Sequence, residues 1–216
     1  MKTQILHRLA LTVLAFVVII FSSFKSAHGS QNKIKFSELR TGNTIQKIVL
    51  NGNVEVFLTQ GNVESLMVYD DSYSKNASVQ WENGVLRIAS YKDQKLSVWI
   101  TVKNLGEIEA AGKSTIQSMN KLSTVNLSIN LKDGAKAILD AQVFNLTTAI
   151  ADSSKLELNG EAENQQINLC GAAVYDSPKF IAQNRSVLIT DKAKATYQQD
   201  GKATSIKSVT KVNSDK

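Results

Sequence analysis

The sequence predicts an all-β protein: a parallel β-solenoid with rungs of about 20 residues, preceded by N-terminal β-strands and hairpins. Three observations predict it. Short runs of alternating apolar and polar residues recur almost throughout, the mark of half-buried strands. There is a single proline, Pro178, and no long apolar stripe at helical spacing. The second half repeats itself at a nearly constant interval.

The chain opens on a targeting segment. Lys2, His7 and Arg8 precede thirteen residues, Leu9 to Phe21, that contain no charge and one polar residue, Thr12. Ser22, Ser23, Lys25 and Ser26 end the apolar run, and Ala27 and Gly29 are the small residues that a signal peptidase needs. This order predicts a secretory signal over residues 1–29, cut between Gly29 and Ser30. Thirteen helical residues span about 20 Å, short of the ~30 Å hydrocarbon core, so the mature form has no membrane span. The competing reading is an uncleaved anchor reaching Phe24.

From residue 45 to residue 103 the alternation predicts four or more strands. Val54, Val56 and Leu58 interleave with Glu55, Phe57 and Thr59, and Leu96, Val98, Ile100 and Val102 interleave with Ser97, Trp99, Thr101 and Lys103. Turns are expected at Gly61, at 70–77, at Asn83-Gly84 and at 90–95. The Asn-Gly pair, after Val79 and Trp81 and before Leu86 and Ile88, is a hairpin signal.

The repeat follows. Gly112, Asp133, Asp152, Gly171 and Asp191 serve as marks, with gaps of 21, 19, 19 and 20 residues. Four places before each stand Ile108, Ile129, Thr148, Ile167 and Val187, and two places before stand Ala110, Leu131, Ile150, Leu169 and Ile189. Two places after stand Ser114, Ala135, Ser154, Ala173 and Ala193, and four places after stand Ile116, Ala137, Leu156, Tyr175 and Ala195. One face thus keeps its phase through five units. Such units cannot bury that face alone and do so by stacking. Gly or Asp at the mark suits a bend, because glycine accepts positive φ and aspartate can bond its own backbone. A meander of antiparallel hairpins would show the same alternation and remains open. Residues 198–216 read as a polar tail, in which 205–209 could add an edge strand.

Composition excludes several classes. Removing residues 1–29 takes Lys2, Arg8 and Lys25 and no acid, so the net charge falls from +6 to +3. That mild excess with few aromatic residues does not point to nucleic acid. Both histidines, His7 and His28, leave with the signal, so the mature chain has no Ser-His-Asp triad, Cys-His pair or imidazole metal ligand. Cys170 is the only cysteine; in Ile167-Asn-Leu-Cys-Gly-Ala-Ala it is expected to be a buried, inert thiol. No catalytic residue, metal site or cofactor is expected.

Four features deserve weighing as sites. Asp133, Asp152 and Asp191 share a phase and could form a cation ladder, but turn chemistry accounts for them better. Glu107 and Glu109 could act as a glycosidase pair, or simply form a solvated face. Asn-X-Ser/Thr triplets begin at Asn76, Asn126, Asn145 and Asn184, a pattern common by chance in an Asn- and Ser-rich chain. Phe57 and Trp99 lie on the polar phase of their strands; exposed aromatics there would suit sugar rings or a protein partner. If 33–45 or a neighbouring strand covers that face, the two rings instead belong to a second core.

The segment Ile48-Val-Leu-Asn-Gly-Asn-Val-Glu-Val-Phe-Leu-Thr-Gln-Gly61 resembles the opening of the putative auto-transporter adhesin head GIN domain, common in Bacteroidetes. Gly52, Val54, Glu55, Val56, Gln60 and Gly61 fill its places. Val85-Leu-Arg-Ile, Leu96 to Val102, Leu105-Gly-Glu-Ile-Glu-Ala-Ala-Gly112 and the small-residue runs at 168–173 and 191–194 continue the likeness, which covers about residues 36–197. The resemblance implies a right-handed solenoid-like fold, export, and a periplasmic, cell-surface or extracellular location. The chain departs from the pattern where Asp133, Asp152 and Asp191 replace glycine, and the resemblance carries over no catalytic residue. The expected organisation is a signal over 1–29, a GIN-like domain over 30–197 and a tail over 198–216. The expected role is a non-enzymatic envelope binding or structural protein whose partner is an envelope protein or glycan. The alternative is a carbohydrate-binding or polysaccharide-active β-helix protein.

Overall fold

The computed structural model describes residues 35–36, 44–69, 77–91, 93, 95–199 and 202–207, all within one compact unit, Lys33–Lys216. The signal segment with Gly29 and Ser30, and the triplet at Asn76, lie outside the described residues. Among those described, every regular element is a strand: β1 (Lys35–Phe36), β2 (Lys47–Gly52), β3 (Val54–Gln60), β4 (Ser65–Tyr69), β5 (Ala77–Glu82), β6 (Val85–Ser90), β7 (Leu96–Val102) and β8 (Glu107–Ala111). There follow β9 (Thr115–Ser118), β10 (Leu122–Lys132), β11 (Lys136–Ile150), β12 (Lys155–Leu169), β13 (Val174–Ser177), β14 (Phe180–Ile189), β15 (Lys194–Gln199) and β16 (Lys202–Lys207). They form a single mixed sheet of sixteen strands.

Parallel pairing dominates and falls into three ladders. The first runs β6–β2–β8 and on through the C-terminal parts of β10, β11, β12 and β14. The second runs β7–β3–β9, the starts of β11 and β12, then β13 and β15. The third joins the N-terminal part of β10 to the middles of β11 and β12 and the start of β14. Antiparallel strands border the parallel ones: β5 on β6, β4 on β7, β1 on β4, and β16 on β15. The antiparallel meander expected as a rival is therefore absent between the repeat units, which pair in parallel.

The repeat marks set the register. Ile129 pairs with Ile108, Thr148 with Ile129, Ile167 with Thr148 and Val187 with Ile167, so the pairing offsets equal the gaps between the marks. The residues two places after the marks, Ser114, Ala135, Ser154, Ala173 and Ala193, are all fully buried. A one-residue slip would turn each of these inward columns to solvent, which is why so regular a phase specifies one pairing. The marks bend as expected, and the aspartates as well as the glycines do so with left-handed backbone: φ is 59° at Asp133 and Asp152, 58° at Asp191, 74° at Gly112 and 68° at Gly171. Asp152 Oδ2 accepts from the Asp133 N–H at 3.2 Å, and Asp191 Oδ2 from the Gly171 N–H at 3.1 Å. Each carboxylate thereby satisfies a turn amide one unit away, offsetting part of the αL cost to a non-glycine residue.

The N-terminal strands depart from the expectation. They do not precede the repeat as separate hairpins: β2 lies between β6 and β8, and β3 between β7 and β9. Ile48, Leu50, Gly52 and Val56 thus take the places of Ile108, Ala110, Gly112 and Ile116. Gly52 is a sixth mark, with φ 81°, and a Cβ there would lie 2.1 Å from the Ser90 carbonyl oxygen. The hairpin at Asn83-Gly84 forms as expected, both residues having positive φ, as a type I′ turn needs. At the other end, β16 occupies 202–207, so regular structure extends into the stretch expected as tail.

A single core lies between the ladders, from Ile48 and Leu86 to Tyr175 and Phe180. Fully burying each such side chain contributes on the order of 1.5–3 kcal/mol. Where the chain turns from the third ladder into the first, Asn126, Asn145, Asn164 and Asn184 form an amide ladder with Nδ2···Oδ1 distances of 2.8, 3.0 and 3.0 Å. Three of the four Asn-X-Ser/Thr triplets are members of this ladder.

Candidate binding surfaces

Phe57 and Trp99 are register partners on β3 and β7 and are half-buried. Their rings stack on each other with centroids 4.5 Å apart and planes at 26°. One face of each ring is used by the other, and Met67 and Gln117 are the register partners on either side. The pair stands in its row with less open ring surface than two separate aromatics would offer.

Glu107 and Glu109 are brought together, but around a cation. Lys47 Nζ lies 2.7 Å from Glu109 Oε1 and 3.2 Å from Glu107 Oε1. The Lys47 hydrogen bond holds the Glu109 carboxyl below its ordinary range. Asn130 Nδ2 donates to Glu107 at 3.3 Å. A general acid needs a raised pKa, so this geometry works against a proton donor at Glu109. Cys170 is exposed, not buried as expected. It follows inward-facing Leu169 and precedes the mark Gly171, so strand alternation turns it outward. Among the described residues no group of three or more His, Cys, Asp or Glu side chains is placed to hold a metal ion.

Two concave surfaces were not foreseen. A trough of about 510 Å³ crosses the outward side of the first ladder. Val49, Ala111, Ala149, Ala151 and Leu188 supply its apolar lining, with Glu109 and Lys132 among its polar residues. A larger hollow, about 1,090 Å³, lies over the third ladder. One side is the register row Ser123, Gln142, Glu161 and Ile181. The other holds Val125, Phe144, Glu163 and Gln183, each eight places before a mark. Val125 is 64% and Phe144 54% exposed. By simple alternation that position points inward, like those four and two places before the mark. The asparagine corner breaks the alternation and turns it out, which is why the sequence pattern missed it.

The model of the putative auto-transporter adhesin head GIN domain matches residues 45–209. The chain belongs to this family. No curated protein matches it. Among solved structures the GIN-domain chain resembles a putative adhesin from Bacteroides fragilis, with 18% identity over 74% of this chain and 78% of that one, TM-score 0.63. It also resembles a putative adhesin from Parabacteroides distasonis, with 14% identity over 76% and 81% of the two chains and TM-score 0.59. A putative lipid binding protein from the same organism matches at 14% identity over 76% and 81%, TM-score 0.56. At these identities the likeness is one of fold.

Proposed function

We propose that this GIN-domain chain is an exported, non-enzymatic binding protein of a bacterial cell envelope, and that its parallel units are successive turns of a β-solenoid. Residues 1–29 are its signal, removed between Gly29 and Ser30; the body begins at Ser30 and continues into β16. The observation that carries this reading is the constant register. Units 19–21 residues apart lie side by side, so their outward side chains form broad, regular rows suited to an extended partner. The family name and the putative adhesins of the same fold support contact with a partner as the role. The Lys47 bridge between Glu107 and Glu109 speaks against a polysaccharide-cleaving pair. The test is to express the full chain, fractionate the cells, sequence the mature N-terminus and measure retention of the recovered protein on envelope material. Export with a start at Ser30 and saturable retention are expected; a cytoplasmic, unprocessed chain would overturn the reading.

The first-ladder trough favours a second reading, in which the bound partner is an acyl chain, and a relative in fold carries the name putative lipid binding protein. Displacement of a fluorescent fatty acid, lost in Ala149→Trp, would support it.

A further inference from the structure

We propose that the hollow over the third ladder is a binding site for an uncharged oligosaccharide lying along the stack, across the strands. The proposal rests on the binding role above and assigns it a surface and a ligand class.

The two rows that flank the hollow run across β10, β11, β12 and β14, so equivalent side chains recur at the strand spacing, about 4.8 Å. A chain of pyranose rings offers repeating groups at a comparable interval. The rows combine two kinds of surface. Phe144, Val125 and Ile181 present exposed apolar area beside polar groups, which suits the C–H faces of a sugar. Gln142, Glu161, Glu163 and Gln183 present amides and carboxylates, which together donate to and accept from hydroxyl groups. Gln142 Nε2 already donates to Glu161 Oε1 at 2.6 Å, an arrangement that fixes both side chains and leaves each with acceptor capacity.

Charge selects among ligand classes. Two glutamates line the hollow and no lysine or arginine does, although the chain as a whole carries net charge +6. An anionic polymer would meet uncompensated like charge there. An acyl chain would desolvate Glu161 and Glu163 without offering them partners. An uncharged sugar meets neither obstacle.

The test uses protein recovered after export of the full chain. Binding of neutral hexasaccharides of glucose, mannose and galactose is measured by calorimetry, with a hexagalacturonate and a lysine-rich peptide alongside. Phe144→Ala and Glu163→Leu are compared with Ile138→Ser on the second ladder, and thermal midpoints are recorded for each. At least one neutral hexasaccharide is expected to bind. Either hollow substitution should weaken it tenfold or more at an unchanged midpoint, and Ile138→Ser less than twofold. Sugar binding that ignores both hollow substitutions would overturn the site. Binding of the peptide or the galacturonate alone would overturn the ligand class. Retention on envelope material with no glycan bound would overturn this proposal and leave the envelope role standing; loss of both would remove the two together.

Discussion

The two ends of the sheet are finished differently. At the end nearer the N-terminus, β5 covers β6 and β4 covers β7, both antiparallel, so two ladders are closed. Leu86, Ile88, Val98 and Ile100 on the bordering parallel strands are fully buried, with Trp81 and Val79 of β5 packed against the core. At the other end, among the described residues, only the second ladder is closed, by β16 on β15, and there Ala195 and Tyr197 are buried. Among the described residues β14 pairs with β12 alone, and its inward Ala182, Val187 and Ile189 are only partly buried.

The composition of the interior follows this difference. One inward column reads Leu127, Leu146, Gln165 and Arg185 toward the open end. Arg185 Nε donates to Gln165 Oε1 at 2.7 Å, Nη2 to the Phe180 carbonyl at 3.3 Å and Nη1 to the Gln198 carbonyl, while the guanidinium lies 4.6 Å from the Tyr197 ring centroid. Gln165 Nε2 in turn donates to the Tyr175 hydroxyl at 2.5 Å. A column position thus takes leucine where both sides are covered and a hydrogen-bonded cation where cover is incomplete. A strand edge is tolerated by placing charge at it, as unpaired edges generally require.

Three measurements would break or sharpen that contrast. The largest effect is expected from truncation at the closed end: Ile88→Ala should cost roughly 2–5 kcal/mol in denaturant unfolding, and Ile189→Ala at the open end less than half of that. Equal losses would mean that the exposed end is covered in solution. Next, Arg185→Ala should cost about 1–3 kcal/mol, because Gln165 Oε1 and two carbonyls lose their donor. A neutral result would show that solvent replaces the guanidinium there. The smallest effect concerns Lys47. Its hydrogen bond depresses the Glu109 pKa, so the resulting stability is complete above the ordinary value of 4.5 and is lost as pH falls through the folded value. Lys47→Met should therefore flatten the acid limb of a stability–pH curve by under about 1 kcal/mol, since the pair is partly solvated. An unchanged limb would remove Lys47 as its cause.

Legibility varied with how local the cause was. The marks, the columns beside them and the I′ hairpin were readable because residue type and period act within a few positions. Ile48-x-Leu50-x-Gly52 has the form of Ile108-x-Ala110-x-Gly112, a signal that the expectation of separate N-terminal hairpins passed over. The place of that unit between β6 and β8 was not legible, because no local signal records which of several equivalent edges a unit joins. The aromatic pair was read on the correct phase, but its mutual stacking depends on β3 and β7 being neighbours. Phe144 and Glu163 escaped notice because a corner reverses the parity that identifies outward positions.

The sequence by itself determined the strand content, the spacing of the units and their inward residues, since alternation and left-handed turns follow from side-chain chemistry and backbone sterics. Only the tertiary structure decided the order of the units, the asymmetry of the two ends and the surfaces that face outward together. Those depend on which backbone edges meet across long sequence distances, where hydrogen bonding is the same for every residue type.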